Sequence, residues 1–190
     1  MSSTVLYMSM SLDGMIAGPN VTLDNGLGDR GERLHEWPLP GDHGDANRTI
    51  YDEFMTTGAI VAGAGTFEPA EGWGGDHHDG VEIYVLSRHP APAWTANWSN
   101  VHYLNDVETA IAQARRAAGD KYVLMHGAST AQRALNAGLL DELEIHLIPV
   151  LLGDGVRLFE HLGVQHRELE RVRVIEGEGD VTHLRYRVRH

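Results

Sequence analysis

Tyr122-Val123-Leu124-Met125-His126-Gly127-Ala128-Ser129 decides the fold: an apolar run passes straight into a turn of small residues, and Thr130 to Asn136 then reads as a short helix finished by Gly138. The order is strand, turn, helix. The same grammar stands upstream, where Ala59-Ile60-Val61-Ala62 predicts a buried strand running into Gly63-Ala64-Gly65-Thr66-Phe67-Glu68, and Val81 to Leu86 predicts another ending in Ser87-Arg88. After Val101-His102-Tyr103-Leu104, Asp106 can cap a helix through Ala117 whose apolar positions are Val107, Ala110, Ile111 and Ala114, with Gly119 ending it.

Towards the N-terminus, Val5 to Met10 predicts the first and central strand, closed by Ser11-Leu12-Asp13-Gly14. Gly18 to Gly44 is rich in Gly, Pro, Asp and Asn, and only Leu34-His35-Glu36-Trp37 suggests order, so it reads as a long functional loop. A helix from Asp45, near its N-cap, to Thr57 follows, closed by Gly58. Past residue 140 the period changes to two: Leu143 to Ile148, Glu168 to Ile175 and Val181 to Val188 alternate, and Gly177-Glu178-Gly179-Asp180 joins the last pair as an antiparallel hairpin. Crossover units imply an α/β fold with three layers, helices lying on both faces of a mixed, mostly parallel sheet. With no repeat or convincing linker, residues 1–190 read as one domain.

Composition narrows the function. Fifteen Lys and Arg against 27 Asp and Glu leave a net charge of −12, which opposes a nucleic-acid partner. The absence of Cys excludes disulfides, thiolate nucleophiles and Cys-type metal sites, and suits a reducing cytoplasm. No basic leader precedes an apolar stretch and no 18-residue apolar run occurs, so neither export nor a membrane span is expected.

Three strand ends finish in small residues, around Gly63 and Gly65, at Ser87-Arg88, and at Gly127 to Thr130; glycine there lets backbone N–H groups approach a polyphosphate and a following helix adds its positive end. The bland alternative is that these glycines only permit tight turns. Gly127-Ala128-Ser129-Thr130-Ala131 also resembles a nucleophile elbow, with Asp141 and His146 or His161 downstream, although Ala131 replaces the final glycine; a serine hydrolase using Ser129 is the rival chemistry. Asp76-His77-His78-Asp79 is the densest metal-like cluster, but it reads as solvated loop surface, and no metal is expected. Asp13 and Trp37 flank the long loop and are candidate site residues, with turn fixing and core packing as their structural alternatives.

Met10-Ser11-Leu12-Asp13-Gly14, Gly63-x-Gly65-Thr66-Phe67-Glu68, Val85-Leu86-Ser87-Arg88, His126-Gly127-Ala128-Ser129, and Leu140-Asp141-Glu142-Leu143 through Pro149 to Gly155 with Gly153 and Leu158-Phe159, taken in order from about Val5 to Tyr186, resemble the dihydrofolate reductase-like family. They are more similar to its branch holding the C-terminal reductase domain of the riboflavin-biosynthesis deaminase/reductase and stand-alone relatives. The resemblance implies a reductase that carries hydride from NADPH to a small nitrogen heterocycle, such as 5-amino-6-(5-phosphoribosylamino)uracil or a pterin or folate. NADH is the alternative cofactor, since Ala64 stands where the family usually carries Arg. It further implies cofactor contacts at Ile16, Ala17, Gly63, Gly65, Thr66, Ser87, Arg88, Gly127, Ala128, Ser129 and Thr130, substrate contacts at Asp13, Trp37 and Gly153, a covering lid at Gly18 to Gly44, and a homodimer. Asp13, Asp52 and Glu53 are the acidic residues considered for proton transfer. A nucleotide-binding protein of this fold without turnover is the remaining alternative.

Overall fold

Thr4–Ser11 forms a strand, β1, that is buried almost throughout, because its odd and even apolar side chains serve two different cores. Val5 and Tyr7 join one cluster and Leu6 and Met8 the other. The computed structural model describes residues 2–38, 44–163 and 166–190. In chain order the elements are β1, β2 (Met15–Ala17), α1 (Gly44–Phe54), β3 (Ala59–Gly63), α2 (Ala64–Phe67), β4 (Glu82–Leu86), β5 (Val101–Leu104), α3 (Val107–Ala118), β6 (Val123–His126), α4 (Ala128–Asn136), β7 (Glu142–Ile148), β8 (Val156–Arg157), β9 (Leu169–Glu176) and β10 (Thr182–Val188).

Eight strands form one sheet in the order β5-β4-β3-β6-β1-β7-β10-β9. From β5 to β7 all neighbours pair in parallel, and β10 and β9 add antiparallel at one edge, as the change of period past residue 140 predicts. α3 and α4 pack on one face through Ala110, Ile111, Ala114, Ala131 and Ala134, while Ile50 of α1 and Phe67 of α2 pack on the other. This is the mixed α/β architecture expected. No helix among the described residues is long and apolar enough to cross a membrane.

Several boundaries move for local reasons. α4 begins at Ala128 rather than Thr130, since Gly127 at φ 91°, ψ 150° makes the whole bend in one residue. α1 begins at Gly44, placing Asp45 in its first turn rather than at the cap; at its other end the Thr56 and Thr57 hydroxyls donate to the Glu53 and Phe54 carbonyls. Gly58 is therefore not a left-handed cap; its place is needed because a Cβ there would lie 2.7 Å from the Ala118 carbonyl oxygen. Asp106 does cap α3, its Oδ2 accepting from the Thr109 N–H at 2.7 Å.

The Gly18 to Gly44 stretch holds more order than its composition suggests. β2, just ahead of it, pairs with β8, Gly18 N–H donates to Leu27 at 2.8 Å, and Gly31–His35 forms a 3-10 turn, while residues 39–43 lie outside the described residues. Glu71 to Gly75 is a second surprise, with five consecutive positive φ values from 50° to 84°, a left-handed turn. Cβ atoms at Gly72 and Gly75 would stand 2.7 and 2.6 Å from Trp98, so the turn is pressed against that indole.

Asp141 ties the sheet's centre to its helical layer. Its Oδ2 accepts from Thr4 N–H at 2.7 Å, from Thr4 Oγ1 at 3.1 Å and from Arg115 of α3 at 2.8 Å. Replacing Asp141 by Ala removes the acceptor of the Thr4 N–H and of Arg115, while the Thr4 hydroxyl keeps the Leu139 carbonyl at 2.7 Å; chemical denaturation should show a loss of about 2–4 kcal/mol, with a loss below 1 kcal/mol contradicting this role.

Candidate ligand-binding cleft

The chain leaves β3 through α2 towards β4, whereas it leaves the adjacent β6 through α4 towards β7, on the other side. Such a parting of connections opens a crevice outside the carboxyl ends of two neighbouring parallel strands. The two exits share a pattern, Gly63-Ala64-Gly65-Thr66 and Gly127-Ala128-Ser129-Thr130, and they interlock. A Cβ on Gly127 would lie 2.4 Å from Thr66 Oγ1, and one on Gly63 would lie 3.3 Å from Thr130 Oγ1, so each glycine receives the threonine of the other turn.

Above them lies a cleft of about 750 Å³. Of the residues singled out from the sequence, Ile16, Ala17, Trp37, Gly63, Gly65, Thr66, Gly127, Ala128, Ser129 and Thr130 line it together. The first-turn N–H groups of α4, which no intrahelical carbonyl can reach, open there. Thr130 Oγ1 is buried without a partner, and a Cβ at Gly65 would meet nothing within 4 Å.

Other expected residues stand elsewhere. Ser87 and Arg88 are not on the cleft wall: the Ser87 hydroxyl closes a small turn with His89, and Arg88 is exposed. Asp13 is a turn residue, its carboxylate accepting from Ser11 Oγ, Leu152 N–H (3.2 Å) and Gly153 N–H (2.7 Å), bonds that hold its pKa down to about 2. Gly153 thus serves that turn rather than the cleft. Asp52 is exposed on α1, and Glu53 is clamped by Arg173 at 2.7 and 2.6 Å and is absent from the cleft lining. Of the residues downstream of the Ser129 elbow, Asp141 is engaged with Thr4 and Arg115, His146 bonds His183, and His161 is exposed.

The remaining wall is made of rings. Tyr7 lies 5.0 Å from Phe54 and 4.8 Å from His146, Trp37 lies 4.3 Å from His146, and Phe54, Trp73, His77 and His126 continue the contacts at 4.8–5.8 Å. His77 and His78 are therefore not the solvated pair expected. His78 is buried and bonds the Thr57 carbonyl at 3.0 Å, and His77 lines the cleft. Burial, helped by neighbouring histidines, lowers the imidazole pKa of His77 to about 2 and of His126 to about 4. Tyr7, Phe54, His35 and His126 were not among the expected site residues, although Tyr7 and Ser9 share one face of β1 and His126 opens the predicted turn.

The sheet and crevice define an α/β protein with a cleft across its parallel strand ends. The chain belongs to the RibD C-terminal domain family, whose model matches residues 3–182. It is 28% identical over 167 residues to the uncharacterised protein YwjB of Bacillus subtilis (strain 168), covering 84% of this chain and 83% of that one. Among solved structures it is similar to a Shewanella sp. PV-4 protein provisionally assigned to riboflavin biosynthesis (TM-score 0.77, 22% identity, 99% of both chains). It is also similar to a pyrimidine reductase-like protein of Corynebacterium diphtheriae (0.64, 15%, 100% of this chain and 92% of that one). Acinetobacter baumannii RibD matches at 0.63 and 18% identity over all of this chain, which spans 59% of RibD. The fold is dihydrofolate reductase-like.

Two measurements check this geometry. Gly127→Ala forces a side chain into φ 91° and against Thr66, and should cost about 2–4 kcal/mol in denaturant unfolding, of which adding Thr66→Ala should restore part; no restoration would rule out the interlock. Histidines held neutral by the fold, at about 4 for His126 and His183, take up protons on unfolding below their ordinary 6.5. Stability is thus full above pH 6.5 and should fall by a few kcal/mol as pH drops towards 4, and a melting temperature flat from pH 7 to 5 would contradict it.

Proposed function

We propose that this protein is an NAD(P)H-dependent reductase of a small nitrogen heterocycle. The observation that carries the reading is the pair of interlocked glycine turns beneath the cleft, with the buried, unpaired Thr130 hydroxyl and the open N-terminal turn of α4 between them. A diphosphate needs N–H donors, a hydroxyl and no obstructing Cβ, and these residues supply all three, so the site fits a dinucleotide. Gly63, Gly65, Thr66 and Gly127 to Thr130 would hold the diphosphate, with Ile16 and Ala17 on the same wall. When bound, the nicotinamide supplies the hydride.

The protein's own part is to bind and to orient. The ring wall offers flat apolar surface for a heterocycle, and Trp37 is fixed there by donating its Nε1–H to Ser9 Oγ at 2.8 Å. Among the described residues no Asp or Glu lines the cleft, and the Tyr7 hydroxyl already donates to the Ile50 carbonyl at 2.7 Å. We therefore assign the proton that accompanies the hydride to solvent rather than to a carboxyl side chain. Family membership favours NADPH, while Ala64 admits NADH.

Nucleotide at about a hundred times its Kd should add about 2.7 kcal/mol, raising the melting temperature by about 5–10 °C. Loss of nicotinamide absorbance with an aminopyrimidine or pterin acceptor would complete the case. No shift with either nucleotide at millimolar concentration would refute the reading, and a shift without oxidation of any acceptor would favour a binding protein.

A further inference from the structure

His146 stands on β7 directly opposite His183 of β10, and both are almost fully buried. Their Nδ1 atoms are 2.8 Å apart, and His183 Nε2 is 2.9 Å from Asn47 Oδ1 on α1. Asn47 is itself oriented, since its Nδ2 donates to the Glu178 carbonyl at 3.1 Å, which turns Oδ1 towards His183. An amide oxygen only accepts, so His183 carries its proton on Nε2 and presents a bare Nδ1. His146 must then donate from Nδ1, which leaves its own Nε2 as a bare lone pair. That atom is buried and has no partner, and the ring borders the cleft between Tyr7 and Trp37. Gly177 belongs to the same device, because a Cβ there would lie 2.0 Å from Asn47 Oδ1 and 2.7 Å from His183 Nε2.

A buried acceptor without a donor is destabilising, and a ligand N–H would offset that cost. The wall offers no counterpart for an anionic ligand: among the described residues no Lys or Arg lines the cleft, and residues 39–43 and 164–165 contain neither. The α4 N-terminus and glycine turns are already committed to the dinucleotide. A phosphate on the second ligand would lie against rings and neutral imidazoles, where an unpaired charge is strongly disfavoured.

We infer that the substrate is an uncharged, unphosphorylated planar heterocycle whose ring N–H donates to His146 Nε2. This rests on the reductase reading and narrows its substrate class, separating this chain from an enzyme that takes a phosphoribosyl pyrimidine. His146 acts as a recognition residue, with Asn47, Gly177 and His183 setting its tautomer.

The test uses the NADPH-loaded protein with uracil and pterin, their ring-N-methylated counterparts, and uridine 5′-monophosphate as the phosphorylated probe. At least one free base should bind, with N-methylation and His146→Phe each weakening it about tenfold or more, while His146→Gln, which offers an amide oxygen, restores part of the affinity. The NADPH-induced melting shift should survive in these variants, so its absence in the parent protein would count against the reductase reading, and a preference for the monophosphate against this inference alone. Nitrogen-15 NMR of the unmutated protein adds a readout independent of folding variants: His146 Nε2 should resonate as an unprotonated ring nitrogen and shift on addition of the base. A protonated Nε2, or no binding of either base at millimolar concentration beside a normal NADPH shift, would overturn the proposal.

Discussion

The architecture depends on how closely two strand-end turns approach each other. Gly127 leaves no room for a methyl group beside Thr66, and Gly63 only tight room beside Thr130. That contact sits where connections from adjacent strands part to opposite sides, the one place in an open sheet where backbone N–H groups from two turns face a common space. Everything on the cleft floor follows from it: the exposed first turn of α4, the open surface over Gly65, and the hydroxyl of Thr130 kept from any internal partner.

Polar groups are sorted along β7 and β10, charges towards one end and imidazoles towards the other. Full charges collect around β7, β10 and β9, where buried Glu144 meets Arg173 at 3.2 Å and Arg185 at 3.6 Å, and Glu142 meets Arg185 at 2.7 Å. The crevice side is polar without being charged, since its imidazoles are held neutral by burial. A neutral imidazole is both donor and acceptor, and which it is at each nitrogen depends on its neighbour. The Asn47–His183–His146 chain therefore carries information inward from α1 and the terminal hairpin, fixing the hydrogen-bonding sense of an atom at the wall.

Much of the fold was legible because period and punctuation agreed. Val101 to Gly119 shows it well, where Asp106, four apolar positions and a final glycine define α3 without help from tertiary contacts. The glycine turns were legible for the same reason, since small residues after an apolar run have few other uses. What escaped depended on distant partners. Asp13 and Gly153 sit in a familiar motif, but only the register of the loop after β7 shows that they bond each other. His77 and His78 look like solvated loop residues until Phe54, Trp73 and Thr57 are brought against them. No local pattern announces that His146 and His183 will face each other, because that pairing belongs to an antiparallel register closed 37 residues later.

The bend at Glu71 to Gly75 winds with the opposite hand to the other helices among the described residues, and it sets Trp73 into the ring wall. Glu71 and Trp73 hold that winding against their own stereochemistry, at about 1–2 kcal/mol each. A change that let the segment relax to the ordinary hand would gain heat resistance and swing the indole away from the crevice. At this bend, robustness and pocket shape pull in opposite directions, and a selection for thermal tolerance alone would erode the binding surface first.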